Sequence, residues 1–178
     1  MDIFILGIWG SSMGGGHVIT MGGMDHLERK IICIVSQLGM MIASDLLKHT
    51  GAPSSREIDS MDASRASGES LPPIAQDDSD MLEDLDGYPN LAKLRTYRPI
   101  DHASLVSVPT LIMDASDEEL WNRRDQGEKV YQIIRDNGIQ SNYSLLKGKH
   151  YDGYTVDGSF DEGCSQAISW FSQHLSRK

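Results

Sequence analysis

Hydrophobic positions cluster into short runs rather than alternating. Ile3 to Trp9 is almost wholly apolar and ends at Gly10. Lys30 to Gln37 is a second apolar, β-branched run, and Pro109 to Met113 a third. Runs of this length without polar alternation predict strands buried on both faces. Ser141 to Leu146 is expected as a fourth strand. Helical stretches lie between and after them. A short helix is expected from His17 to Met24. Another is expected from Met40 to His49, stopped by Gly51 and Pro53. Glu118 to Asn137 predicts a longer helix, with Leu120, Val130, Ile133 and Ile134 apolar and Gly138 as its cap. Asp161 to Leu175 predicts a last amphipathic helix, with Ala167, Ile168, Trp170, Phe171 and Leu175 inward. Strands alternating with helices imply an α/β fold, a mostly parallel sheet of about four strands flanked by helices. No internal repeat is visible.

One segment breaks this rhythm. From Ser54 to about Arg98 there is no strand pattern, and Gly68, Pro72, Pro73, Gly87 and Pro89 interrupt it. Short helices are expected only over Ser79–Leu85 and Leu91–Tyr97. The segment is also strongly acidic. Between Ser54 and Tyr88, Glu57, Asp59, Asp62, Glu69, Asp77, Asp78, Asp80, Glu83, Asp84 and Asp86 face only Arg56 and Arg65. Most of the chain's net charge of −10 therefore sits here. Such a block reads as a solvated, partly disordered insertion rather than core or a binding tail. The expected organisation is one domain over 1–178, with an insertion over 40–98.

Composition then excludes several classes. A length of 178 residues suits one domain with a real core. The acidic balance offers no basic patch for nucleic acid. No run reaches the ~18–20 apolar residues of a membrane span. Asp2 stands where a signal peptide would be positive, so the chain is expected to be intracellular and cytoplasmic. Two cysteines, Cys33 and Cys164, are too few for a disulfide framework or a zinc site.

Candidate chemistry lies at the first strand's end. Gly10-Ser11-Ser12-Met13-Gly14 fits G-x-S-x-G, and a buried strand runs straight into it with a helix after it. In such a turn the flanking glycines leave room for a sharp strand-to-helix reversal, and Ser12 is left exposed and strained. The Met13 N–H, at the helix start, is then placed to face a developing oxyanion. A serine nucleophile needs a histidine base and an acid to hold it. In this arrangement the chain order is serine, acid, histidine. The acidic cluster Asp117-Glu118-Glu119 follows the third strand, and His150 lies between the fourth strand and the last helix.

On these residues the chain resembles the α/β-hydrolase superfamily, nearest to dienelactone-hydrolase-like and prolyl-peptidase-like serine esterases, including the polyketide transferase and thiohydrolase group. The resemblance rests on GIWGSSMGGGH, YRPIDHASLVSVPTLIMDASDEEL, and GKHYDGY followed by AISWFSQHL. It covers about two-thirds of the chain and omits the acidic insertion. It implies a triad of Ser12, Glu118 and His150, with Met13 in the oxyanion hole. The acid usually follows the strand-opening proline by about nine residues, which selects Glu118. The usual residue there is Asp, so Asp117 stays a rival. The implied reaction is cleavage of an ester or thioester of a small acyl substrate through an acyl-enzyme. Neither cofactor nor metal is implied. The insertion falls where the superfamily carries its cap, over the acyl pocket.

Blander readings stand beside these. Ser12 is also a good helix N-cap, and Gly14-Gly15-Gly16 suits a phosphate cradle, though no G-x-G-x-x-G register or P-loop lysine accompanies it. Asp117, Glu118 and Glu119 suit the negative first turn of a helix. His150 has the alternative of an ordinary surface or core histidine. His17, His26, His49, His102 and His174 show no metal-ligand spacing, and His17 is expected to pack behind the serine. Cys33, Trp9, Trp170, Phe171 and Met21, Met24, Met40 and Met41 read as core. Tyr151 and Tyr154 lie near the site by sequence and are given no role. The superfamily usually places roughly a hundred residues before its serine, whereas Ser12 has eleven. An N-terminally truncated domain is therefore expected, with the first strand left as an exposed edge. That edge leaves open a homo-oligomer, or a catalytically inactive hydrolase-fold fragment serving as an interaction module.

Overall fold

The computed structural model describes residues 6–25, 28, 30–49, 55–68 and 91–175. Four strands form one sheet. They are β1 (Leu6–Ser11), β2 (Ile31–Gln37), β3 (Thr110–Ala115) and β4 (Ser141–Leu146). They pair in chain order, β1-β2-β3-β4, and every pairing is parallel. Parallel neighbours need a crossover between them, and helices provide most of these. The helices are α1 (Met13–Met24), α2 (Ala43–His49), α3 (Ser55–Ser67), α4 (Leu91–Arg95), α5 (Gly127–Asp136) and α6 (Phe160–Leu175). Two 3₁₀ turns, Pro99–Leu105 and His150–Tyr154, complete the described elements.

The uninterrupted apolar runs follow from a sheet covered on both faces. In β2, Ile34 faces a cluster with Val18, Ile19, Ile112, Val130 and Ile134, beneath α1 and α5. Its neighbours Cys33 and Val35 face the opposite cluster, with Leu111, Met113, Ala167 and Trp170 of α6. Successive residues of the strand thus enter different cores. Fully burying one such Ile or Val contributes about 1.5–3 kcal/mol.

The sequence expectations shift at several boundaries. β1 runs two residues past Trp9, and its expected beginning at Ile3 lies outside the described residues. Trp9 is not core: it is exposed at the sheet edge, and Met21 and Met24 are exposed as well. Met40 and Met41 are fully buried. α1 begins at Met13, four residues earlier than His17, so the glycine run belongs to the helix. The expected helix from Glu118 begins only at Gly127. The carboxylates and amides before it are used locally instead. Glu118 accepts the Leu120 N–H at 3.1 Å, and Asn122 accepts the Arg124 N–H at 3.2 Å. Such side-chain bonds compete with the helical ladder. Gly138 does close α5, with φ of 78°. In α6, Gly163, Ala167 and Trp170 are buried and Phe171 is half-buried, but Ile168 and Leu175 face solvent.

Within 40–98, Met40, Met41 and Ala43 belong to the core. α3 has no counterpart in the sequence expectation, because its sequence has no apolar stripe. An ion pair from Arg95 to Asp59, at 2.9 Å, ties it to α4. The expected helix over Ser79–Leu85 lies outside the described residues. Among the described residues no helix is long and apolar enough to cross a membrane.

Candidate active site

β1 delivers Ser12 at the C-terminal end of the sheet, where α1 starts. Ser12 has φ of 52° and ψ of −121°. Left-handed backbone of this kind strains a residue with a Cβ and persists only when its surroundings hold it. Two hydrogen bonds do so. The Ser12 N–H donates to the Gln37 carbonyl at 3.0 Å, and the Ser12 carbonyl accepts the Met40 N–H at 3.0 Å. The Ser12 side chain makes no capping bond to α1, so the N-cap reading fails. The Tyr154 phenol interacts with its hydroxyl, and burial pushes that phenol up to about 12.

The glycines around Ser12 divide unevenly. A Cβ at Gly10 would collide with the Gly14 carbonyl, which is why the strand can turn back on its own helix. Gly14, the second glycine of the pattern, has open space around its Cβ position, contrary to the expectation of crowding on both sides. The crowded pair is Gly15, whose Cβ would lie 2.7 Å from the Gly39 Cα, and Gly16, which is pressed against the Met40 carbonyl. The triple glycine is thus used for contact between α1 and the chain after β2. Met13, at the helix start, exposes its side chain. His17 does not pack behind the serine. It is exposed, its Nδ1 lies 2.8 Å from the Met13 carbonyl, and its ring meets Tyr97 at 5.1 Å.

β3 and β4 end side by side, and the loops that follow them stay joined. The Ser116 N–H donates to the Leu146 carbonyl at 2.8 Å, and the Asp117 N–H donates to the Gly148 carbonyl at 2.9 Å. This brings the acidic cluster to His150. The Nδ1 of His150 lies 2.9 Å from Oε2 of Glu118, and both side chains are at most 2% exposed. Asp117 turns away, accepting the Ser116 hydroxyl at 2.8 Å. Glu119, for which the sequence offered no role beyond a helix turn, accepts the His150 backbone N–H at 2.9 Å.

Aromatic rings enclose the imidazole. Trp121 and Tyr151 meet it edge-on at 4.9 and 5.3 Å, and Tyr154 lies tilted to it at 5.8 Å. Trp121 is buried with Met40 and Ala43, so the β2–α2 connection backs the histidine. Gln37 joins the halves of the site. Its amide donates to the Gly153 carbonyl at 3.2 Å, and Ser11 donates to its oxygen at 3.4 Å.

Two further buried residues carry no sequence signal. The Gln126 carbonyl oxygen accepts the Met41 N–H at 2.6 Å and the Ile42 N–H at 2.8 Å. Its amide donates to the Ile42 carbonyl and to Asp45. Asp114, on β3, accepts the Tyr143 hydroxyl at 2.9 Å and is pushed up to about 7, chiefly by burial. Among the described residues, no group of three or more His, Cys, Asp or Glu side chains is placed to hold a metal ion.

No protein-family model matches the chain. It is 26% identical over 193 positions to an uncharacterized 31.7 kDa protein from the traX-finO intergenic region of Escherichia coli, a match covering 96% of this chain and 65% of that protein. The chain thus spans just under two-thirds of that curated relative's length. Solved structures match over nearly all of it. The α/β hydrolase GrgF from Penicillium sp. sh18 superposes with a TM-score of 0.68 at 14% identity, over 97% of this chain and 65% of its own. The acylaminoacyl peptidase of Pyrococcus horikoshii superposes with a TM-score of 0.58 at 17% identity, over 99% of this chain and 25% of its own.

Proposed function

From the α/β-hydrolase fold that the chain shares with these structures, we propose a serine hydrolase that cleaves an ester or thioester through an acyl-enzyme. The observation that carries this reading is the buried Glu118–His150 pair, joined at 2.9 Å through Nδ1. A carboxylate on Nδ1 leaves Nε2 as the imidazole's basic nitrogen. The strained serine at the end of β1, with its side chain unused by the helix, supports the same reading.

In the proposed reaction Ser12 Oγ attacks the acyl carbon while His150 takes its proton. Glu118 holds the imidazole and stabilises the imidazolium. The Met13 N–H donates to the tetrahedral oxygen. Collapse breaks the bond to the alcohol or thiol, which leaves with the proton from His150. Water, deprotonated by His150, then releases the acid and frees Ser12. Every step uses groups of the chain and water. The substrate is a small acyl compound, and the exposed Tyr151, Tyr154 and Met13 around Ser12 and His150 favour an apolar one.

A fluorophosphonate probe tests the reading because it reports an activated serine without needing the substrate. The wild-type chain is expected to be labelled and Ser12→Ala is not. A folded wild-type chain that resists the probe, or a Ser12→Ala chain that is still labelled, overturns the proposal. The other reading, a binding module on the same fold without turnover, predicts a folded wild-type chain that resists the probe and does not hydrolyse p-nitrophenyl acetate.

A further inference from the structure

Three consecutive carboxylates follow β3, and each has a different partner. Asp117 holds the Ser116 hydroxyl, Glu118 holds the His150 ring, and Glu119 holds the His150 main chain. One histidine is therefore gripped at two points by adjacent acids. We propose that Glu119 is a positioning residue for the hydrolysis, fixing the His150 backbone so that the imidazole which Glu118 orients keeps Nε2 aimed at Ser12. This rests on the reading of Ser12, Glu118 and His150 as the reacting groups.

The local backbone explains why a second grip is needed. Regular pairing of β3 with β4 ends at Ala115 and Leu146. Beyond it, Ser116 and Asp117 bond across to Leu146 and Gly148, and the Gly148 N–H donates to the Ser116 hydroxyl at 3.0 Å. Gly148 then turns with φ of 99°, and His150 opens a short 3₁₀ turn. The first N–H groups of a helical turn have no partner inside it. The Glu119 carboxylate fills that place for His150. It is the last rung of the bridge between the acid loop and the histidine loop.

Glu118 alone leaves one freedom. A single bond at Nδ1 lets the ring and its Cα swing together about that contact. Anchoring the main-chain N–H fixes Cα, and the two restraints together fix Nε2. A displacement of a reacting group by about 1 Å costs on the order of 10²-fold in rate. A carboxylate acceptor also makes a stronger bond than a neutral one.

The test compares Glu119→Ala with Glu119→Gln, whose amide oxygen still accepts the N–H. Three measurements are made: steady-state kinetics with p-nitrophenyl acetate for kcat and KM, the second-order rate of fluorophosphonate modification, and hydrogen exchange at the His150 amide. In Glu119→Ala, kcat and the modification rate are expected to fall by about 10- to 100-fold. KM should stay within about twofold, and the His150 amide should exchange faster, because a bond acting on the base alters chemistry rather than binding. Glu119→Gln is expected to recover all three to within about threefold of wild type, its acceptor being retained. The proposal is overturned if Glu119→Ala keeps wild-type kcat, if only KM moves, or if Glu119→Gln is as slow as Glu119→Ala. A wild-type chain inert to both reagents would instead sink the hydrolase reading, and with it the role of Glu119. Unchanged His150 exchange in Glu119→Ala would refute the backbone anchor by itself.

Discussion

Asp114 makes the stability of the fold depend on pH in a direction opposite to that of most carboxylates. It is fully buried in β3. One oxygen accepts the Tyr143 hydroxyl at 2.9 Å, and the other has no protein partner. Burial raises its carboxyl from the ordinary 3.8 to about 7. Tyr143 and Arg123 pull the value down, and the charges of Glu118 and Glu128 push it up. Between about pH 4 and 7 the unfolded chain has lost this proton while the folded chain keeps it. Each step upward through that window therefore costs stability, and the loss is complete above about 7. At about 1.4 kcal/mol per pH unit, the whole window is worth about 4 kcal/mol. Asp114→Asn keeps an acceptor for Tyr143 and removes the proton equilibrium. Urea unfolding of both chains from pH 4.5 to 8 isolates this one group, since the other acids are common to both. The wild type is expected to lose stability relative to Asp114→Asn as pH rises, by a few kcal/mol in all. Parallel curves for the two chains would refute the account.

Two other perturbations follow from the packing around the site. Gln126→Ala leaves the Met41 and Ile42 N–H groups without their acceptor inside the fold. It is expected to cost about 2–4 kcal/mol in urea unfolding, on the scale of two buried unsatisfied donors. A cost below about 1 kcal/mol would show that water replaces the amide. Gly10→Ala and Gly14→Ala should differ sharply although both alter the same pentapeptide. Gly10→Ala meets the Gly14 carbonyl and is expected to lower stability by about 1–3 kcal/mol. Gly14→Ala enters open space at the start of α1 and should be neutral or gain up to about 1 kcal/mol. Equal thermal shifts for the two would contradict the geometry.

The sheet was readable in the sequence because burial on both faces leaves a run such as Ile31–Val35 with no polar position to confuse it. β1 was readable as an apolar run too although no residue of it is fully buried, and its edge position was not legible, since Trp9 looks apolar whether a neighbour covers it or not. Helices were less legible. α3 lacks an apolar face, and the glycines of α1 suppress the helical signal though Gly15 and Gly16 serve its packing. Glu118 and His150 could be picked out by their order after strands. The choice between Glu118 and Asp117 rested on a count of residues; in the fold it is Glu118 that lies 2.9 Å from the imidazole, which no count could show. Glu119 and Gln126 were invisible because their work is done toward backbone groups. No residue type marks a backbone N–H that needs an acceptor across a loop.

The pinning of Ser12 also orders events in time. Its strained peptide is held by Gln37 and Met40, and the segment just beyond Met40 is held by Gln126. That last contact joins positions separated by 84 residues or more. Closing so long a loop carries an entropic cost that early, local structure does not offset. β1 and α1 can form while Ser12 is still a relaxed residue in an ordinary turn. The left-handed geometry is then expected only once the β2–α2 connection docks on Gln126, at the start of α5. In a refolding experiment, reactivity at Ser12, the proposed nucleophile, should therefore lag behind the recovery of helical signal and report that the far end of the chain has arrived.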